Sequence, residues 1–454
     1  MPRVHPTLLP EGCALRARNC RLKSGKLSPL REPSVVGASL VRQEAGLGEI
    51  AKARSLYLWR RDGVAEFLAW PGLVTVARGN VADDDLHRIF VTGETGVGGV
   101  GKNLPCLYTS VDGTMTRYPL TKGVLPKPVV SRTESGTVDR DSARYTLFFQ
   151  TWVDRFGFES GLSPQSDNSG SGDGDEWGNL EYNDGDEVTV DAVGDPGGAV
   201  MRRVYKVVAG SETGEIQFVA EQGTKVEGFS AFTFRLLDED AGEAAPRFES
   251  PPDDLDLMMP VPGGFYCGVS RSRRRTLMFS GVDTPGSWCE AYRYDVDDDI
   301  VSIGVAGNTV YVLTGGMPWA VSGTHPEEMV CMKIPSEQAC VSRRGVCVME
   351  SGVFYPSHDG IVMLAPELGA SAKVITEKHW GKREWGELNP GSCVMAPYDG
   401  ALHAWFNTRG EGLVGYIIDL REGLAAVTTH DEVARAVCYD AADDALYYVR
   451  EKNE

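Results

Sequence analysis

The chain has 454 residues, of which 42% are hydrophobic and 24% charged, and a formal net charge of -19. That length allows two or three domains, or one large propeller with an insertion. The acidity argues against a phosphate-neutralising DNA-binding surface as the main activity. Fifty-three glycines and 25 prolines point to many turns and few long helices. No 18-residue apolar run occurs and the N-terminus has no apolar core of signal-peptide length, so neither a membrane anchor nor an ordinary export signal is expected.

The charge is uneven. Residues 1–50 hold eight Lys or Arg and four acids, so the remainder carries -23. A basic arm on an acidic body is either a solvated face or a docking element for an acidic partner. Ten cysteines are scattered without a Cys-x-x-Cys pair. They read as small core residues of a protein made in a reducing compartment, with no disulfide framework and no zinc site.

In chain order, residues 1–36 lack helical periodicity and read as an extended basic arm with a turn at Ser24-Gly25. Short strands follow at 55–60, 65–69, 74–77 and 86–92, broken by Asp62-Gly63, Pro71-Gly72 and the acidic cluster Asp83, Asp84, Asp85. That is meander spacing. Gly96 to Lys102 matches the spacing of a phosphate-binding loop. Asn103 stands where such a loop needs a hydroxyl, and Pro105 opens a strand-like run instead of a helix, so it reads as a loop tip.

Tyr145 to Asp154 is the strongest strand, dense in aromatic and β-branched residues. A Ser/Gly/Asp/Asn-rich loop over 165–187 and further strands to Leu237 complete an insertion over 140–245. The meander resumes over 246–454, enough for three to four blades of 40 to 50 residues, while 37–139 supplies the others. The last residues are expected to pair with the early strands and so remove the sheet edges. The fold class is therefore all-β: a β-propeller-like meander interrupted by a β-sandwich.

Catalytic and metal motifs are missing from the sequence. Asp295 to Asp299 has alternating carboxylates, but Ile300 and Ala306 occupy the glycine and glutamate positions of a calcium loop. The seven histidines form no His-x-His or His-Glu-x-x-His pair, and no Gly-x-Ser-x-Gly elbow exists. His358-Asp359 reads as a turn. Trp288, Tyr292 and Tyr294 read as core aromatics, with a carbohydrate platform as the alternative. Arg271-Ser-Arg-Arg-Arg275 is a solvated hairpin or an intersubunit patch.

The tract Thr314-Gly-Gly-Met-Pro-Trp-Ala-Val-Ser-Gly323, Pro326-Glu-Glu-Met329, Gln338-Ala-Cys-Val-Ser-Arg-Arg344 and Gly352-Val-Phe-Tyr-Pro-Ser-His-Asp-Gly-Ile361 resembles a phage virion family, the short-tail nozzle (tail tubular protein B-like) proteins. Trp319 stands where that family's phrase has Tyr, and Ile361 where it has Leu. Gly12, Ala14, Ala17, Asn19, Leu22, Ser24, Gly25, Leu27 and Pro29 resemble its opening phrase, and Asp85 to Gly93 another. Arg155 to Pro164 looks like the turn of fibronectin-like modules in phage proteins. The resemblance spans most of the chain, from Gly12 to about Trp385.

It implies a structural virion protein, not an enzyme, synthesised in the host cytoplasm and built into the phage tail. It implies a hexameric ring that contacts other tail proteins, closes the distal end and passes viral DNA without specific binding, using no cofactor or metal. A ring of carboxylates would let a duplex slide without sticking. Asp83, Asp84, Asp85, Asp297, Asp298 and Asp299 are the candidates to line such a channel. Arg16, Arg18, Arg21, Arg273, Arg274 and Arg275 are the candidates for subunit docking. A polysaccharide-degrading propeller, which would need a carboxylate pair in a cleft, and a receptor-binding tail-tip adhesin are the alternatives.

Overall fold

The structure is a computed structural model. It describes residues 17–23, 26–37, 41–43, 49–61, 63–80, 84–97, 103–111, 113–120, 125–133, 138–139, 141–166, 179–194, 199–208, 215–223, 228–237, 242–245, 248–366, 372–410, 412–420 and 426–450. The chain forms two compact units. The first comprises Met1–Tyr118, Asp254–Asp283 and Arg293–Glu454; the second comprises Pro119–Asp253 and Thr284–Tyr292.

The first unit is a propeller of seven sheets, numbered here as blades. Blade 1 pairs Ser55–Arg61 with Val64–Trp70, and Val41–Gln43 lies parallel to the latter. Blade 2 holds Val74–Arg78, Ile89–Gly93, Cys106–Val111 and Thr114–Pro119. Blade 3 holds Leu255–Val261, Phe265–Ser270 and Thr276–Gly281, and its sheet continues into the strand Thr284–Asp295, of which Thr284–Tyr292 counts with the second unit. Blade 4 holds Ile300–Ala306, Thr309–Thr314, Trp319–Ser322 and Val330–Lys333. Blade 5 holds Cys347–Met349, Gly352–Pro356, Ile361–Leu364 and Ala372–Val374. Blade 6 holds Val394–Tyr398, Ala401–Thr408, Gly412–Asp419 and Ala426–His430. Blade 7 is the hairpin Ala434–Asp440 and Ala445–Arg450.

The second strands of the central blades are buried along their whole length, as in Phe265–Ser270, Thr309–Thr314 and Gly352–Pro356. A strand packed on both faces reads as a continuous apolar run, not an alternation. The outer strands are the reverse: Val330–Lys333 is mostly exposed. Between blades 5 and 6 lie Phe354, Trp380, Trp385, Leu402, Phe406 and Tyr416. Trp385 comes from the short helix Lys382–Glu387 and donates its indole N–H to Ser357 O at 2.8 Å. Blades 1 and 2 meet over Trp59, Trp70, Ile89, Val91 and Tyr108.

Five blades follow residue 254, so the expectation of three to four is corrected. The strands not foreseen, among them Trp319–Ser322, Val330–Lys333 and Ala372–Val374, are short and partly solvated, which leaves no apolar run to read. The expected pairing of last strands with early ones is corrected too. Blade 7 pairs within itself and packs face to face on blade 1 through Ala53, Ala69, Ala436 and Val449. Phe67 and Tyr447 meet edge to face at 4.9 Å, and Arg60 bonds Asp440 at 2.6 Å.

The hub is polar. Leu255–Val261 carries a bulge between Asp256 and Met259, with Leu257 at a φ of +55°. A β-branch-free side chain at that φ still carries strain of about 1 kcal/mol. Asp256 accepts the Leu257 N–H at 2.7 Å, and Thr92 Oγ1 accepts the Met258 N–H at 3.2 Å, which hold the bulge. The bulge turns the Asp256 carboxylate toward Arg343, whose two Nη atoms donate to its two oxygens at 2.5 and 2.6 Å.

The second unit is a fibronectin-like sandwich. One sheet is Val130–Arg132, Glu187–Val190 and Phe232–Arg235; the other is Phe148–Asp154, Ala199–Val207 and Ile216–Gly223. Its core is Val130, Phe148, Leu180, Tyr182, Val188, Val190, Val204 and Leu236. The run Tyr145–Asp154 is two strands: Arg144–Thr146 pairs with Leu180–Tyr182, and Phe148–Asp154 joins the other sheet. Ser160, Ser163 and Ser166 close the edge of Phe148–Asp154. Each serine N–H donates to a carbonyl of Trp152, Gln150 or Phe148, and each hydroxyl accepts from the same residue's N–H at 2.9 to 3.1 Å. That occupies an edge otherwise open to pairing with another chain. This unit takes in Pro119–Asp253 and Thr284–Tyr292, against the expected 140–245.

The hub pair yields a prediction. Asp256→Ala strands a largely buried guanidinium and should lower stability by about 3 kcal/mol, whereas Arg343→Leu with Asp256→Leu should recover much of that loss. Urea unfolding of the three proteins checks this; equal stability of the single and double variants would refute the role of the pair.

Candidate functional site

The sequence-nominated acids are held by local partners. Asp84 closes a turn, accepting the Arg88 N–H at 3.0 Å, its Nε at 2.9 Å and the Leu86 N–H at 3.2 Å. Burial pushes this carboxyl up, but the bonds from Arg88 outweigh it and hold Asp84 below the usual carboxylate range. Asp85 is exposed in the same turn, and Asp83 lies outside the described residues. Asp297 pairs with Lys333, and Asp299 with Arg275 at 3.1 Å. Asp298 sits against Gly316, where any side chain would collide with its carboxylate.

One docking candidate is thus neutralised by one channel candidate, Arg275 by Asp299. The loops bearing them are joined by main-chain bonds, Val296 N to Arg275 O and Ile300 N to Arg274 O. Arg273 and Arg274 are exposed on the same loop.

The arm also docks on its own chain. Its described part is the hairpin Cys20–Lys23 and Lys26–Pro29, tied to blade 6 by a parallel bridge between Arg18 and Thr429. Arg18 Nε donates to Asp431 Oδ1 at 2.5 Å, and Asn19 Nδ2 to Asp431 Oδ2 at 2.9 Å. Buried Arg21 bonds the Asp399 carboxylate, donates to Asp399 O at 2.8 Å and lies 3.6 Å from buried Asp419. Arg18 and Arg21, nominated for subunit docking, thus bond carboxylates of their own chain. Arg16 lies outside the described residues. Arg21→Ala should cost on the order of 2 kcal/mol and should expose 1–31 to limited proteolysis; unchanged protease resistance would count against the docking.

Beneath the arm, blade 6 buries His403 and His430, 5.9 Å apart, beside Trp405. Burial, then the neighbouring His430, pushes His403 down to about 3, and burial pushes His430 down to about 4. Both are neutral in the fold, while the unfolded chain protonates them near 6.5. Their contribution is therefore complete above pH 6.5 and is lost as pH falls toward 4. Denaturant titrations from pH 7 to 4.5 should show falling stability that flattens in His430→Leu; parallel curves for the two proteins would refute it.

The remaining nominations read as structure. The loop from Gly96 to Lys102 joins two strands of blade 2, with Asn103 Oδ1 accepting the Gly96 N–H at 2.9 Å, and a strand follows it. Residues 98–102 themselves are outside the described set. Trp288 and Tyr292 are buried, as core aromatics are. Among the described residues, no group of three or more His, Cys, Asp or Glu could hold a metal ion, and nine cysteines are free thiols.

One concave feature of the propeller was not foreseen. A cavity of about 430 Å³ is lined by Arg54, Arg343, Arg344 and Arg435 with Ser342, Ser392, Asn407, Trp405, Leu413 and Val394. Two of its arginines come from the one-turn 3-10 helix Arg343–Gly345 between blades 4 and 5. Ser342 anchors that turn by donating to Cys393 O at 2.7 Å. Gly345 has no room for a side chain beside Pro356 and Cys393. Arg343 turns to Asp256, while Arg344 donates to the main-chain oxygen of Arg435. Burial and then its neighbours Arg54 and Arg435 push the Arg344 guanidinium down to about 10. Its sequence signal is the adjacent pair Arg343-Arg344 in an acidic body.

No protein-family model matches the chain, and no curated protein matches it. Among solved structures, the chain is similar to the crystal structure of Kluyvelomyces marxianus Hsv2, at 8% identity over 59% of this chain and 70% of that one, with a TM-score of 0.29.

Proposed function

We propose that this chain is a structural subunit of a phage tail nozzle ring, through which viral DNA leaves the virion. The observation that carries the reading is the ordered set of nozzle-like phrases, of which those at 314–323, 352–361 and 85–93 supply residues that the blade turns need. Thr314 Oγ1 donates to Met317 O at 2.7 Å and accepts the Gly316 N–H at 3.1 Å, forming the turn after the second strand of blade 4. Ser357 Oγ bonds Gly360 O at 3.0 Å and accepts the Asp359 N–H at 3.2 Å, forming the matching turn of blade 5, where Gly360 has a φ of +152°. Gly93, at a φ of +97°, sits where a side chain would strike Asp256 and Arg343.

On this reading the exposed acids repel a passing duplex. The triple variant Asp297→Lys, Asp298→Lys, Asp299→Lys should assemble, because exposed ion pairs such as Asp297–Lys333 contribute little. It should slow DNA ejection most at low salt. Salt-insensitive, unchanged ejection would remove this loop from the channel wall. The wider reading is tested by electron microscopy of the purified protein and of virions labelled with its antibody: rings, and label at the distal tail, are expected, and label elsewhere would overturn it.

A further inference from the structure

The cavity lined by Arg54, Arg343, Arg344 and Arg435 is not absorbed by a ring-building role. We propose that it is a binding site for a small polyvalent oxyanion, a phosphate or carboxylate compound, held chiefly by Arg344. Three observations lead there. The volume, about 430 Å³, lies within the range of small-molecule sites. Four guanidiniums approach one cavity, and guanidinium forks match phosphate and carboxylate oxygens in pairs.

The third is the imbalance of charge. Arg343 is neutralised by Asp256, and Arg54 has Glu94 at 4.0 Å. Arg344 has no carboxylate within ion-pair distance among the described residues; its bond goes to the main-chain oxygen of Arg435, and cations flank it. A half-buried cation among cations is costly unless an anion joins it. The walls suit an organic anion too, since Trp405, Leu413 and Val394 supply apolar surface beside the guanidiniums. The inference is independent of the nozzle reading, because it concerns a cavity within one propeller.

The test uses the full chain at constant ionic strength. Calorimetric titrations with inorganic phosphate, pyrophosphate and citrate should show saturable binding by at least one. Arg344→Gln should weaken that binding at least tenfold, and Arg344→Lys should restore part of it. Arg344→Met should unfold at a higher temperature than the parent in anion-free buffer and should lose the anion-dependent rise. Preference for pyrophosphate over citrate assigns phosphate chemistry; the reverse assigns carboxylate. No saturable binding by any of the three, or equal binding to parent and Arg344→Gln, would overturn the proposal. If a short DNA duplex bound through Arg344 while the small anions did not, that too would overturn it.

Discussion

The propeller depends on one ion pair at its hub. Arg343, from the turn between blades 4 and 5, bonds both oxygens of Asp256 on blade 3 and lies 3.5 Å from Thr75 Oγ1 on blade 2, while its own carbonyl accepts from Ser302 on blade 4. One residue thus contacts three blades, its guanidinium reaching blades 2 and 3 and its carbonyl blade 4. Apolar contacts between neighbouring blades are replaceable in kind, since volume and hydrophobicity suffice. A buried pair is different: either partner alone is a liability, so each makes the other's position obligatory. The strained Leu257, the bulge and the side-chain-free Gly93 are all consequences of bringing that carboxylate to that guanidinium.

The net charge of -19 gives a misleading picture of how the acids are used. Many of the carboxylates that look like a repulsive surface in the sequence are local fasteners. Asp84 shapes a turn, Asp299 and Asp297 tie loops of blades 3 and 4, and Asp399, Asp419 and Asp431 hold the basic arm. Proximity selects these pairs. Two exposed charges a few ångströms apart interact more strongly than either does with the summed field of distant charges, which salt screens within about 10 Å. The arm and body attract one another as the composition suggested, but the attraction is satisfied within one chain.

The fold class was legible because blade strands are either continuous apolar runs, like Thr309–Thr314, or hairpins marked by glycine, like Ser357 to Gly360. The blade count was not, because an outer strand such as Val330–Lys333 gains only main-chain pairing and leaves no apolar signature. The break at Leu147 was hidden for the opposite reason: Arg144–Thr146 and Phe148–Asp154 both carry β-forming residues, and only pairing partners separate them. The arginine cavity was illegible because its members lie far apart in sequence, at positions 54, 343, 344 and 435, and converge only when the ring of blades closes. The adjacent arginines were visible, but nothing local distinguishes the one that finds Asp256 from the one that does not.

That hub also constrains what a channel-forming role can mean. Arg343 reaches from the turn between blades 4 and 5 to Asp256 on blade 3 and toward Thr75 on blade 2, so its side chain crosses between these blades beside the arginine-lined cavity. On the nozzle reading proposed above, that crossing side chain disfavours passage of a duplex through a single propeller. The passage proposed for DNA would then be formed by several copies around a common opening, with each propeller as a wall element. A hub closed by a buried ion pair suits that task, because a wall must resist deformation, and the pair loses several kcal/mol when its partners separate. On that reading the loops bearing Asp297 to Asp299 and Arg273 to Arg275, joined to each other by main-chain bonds, are left to meet neighbouring copies.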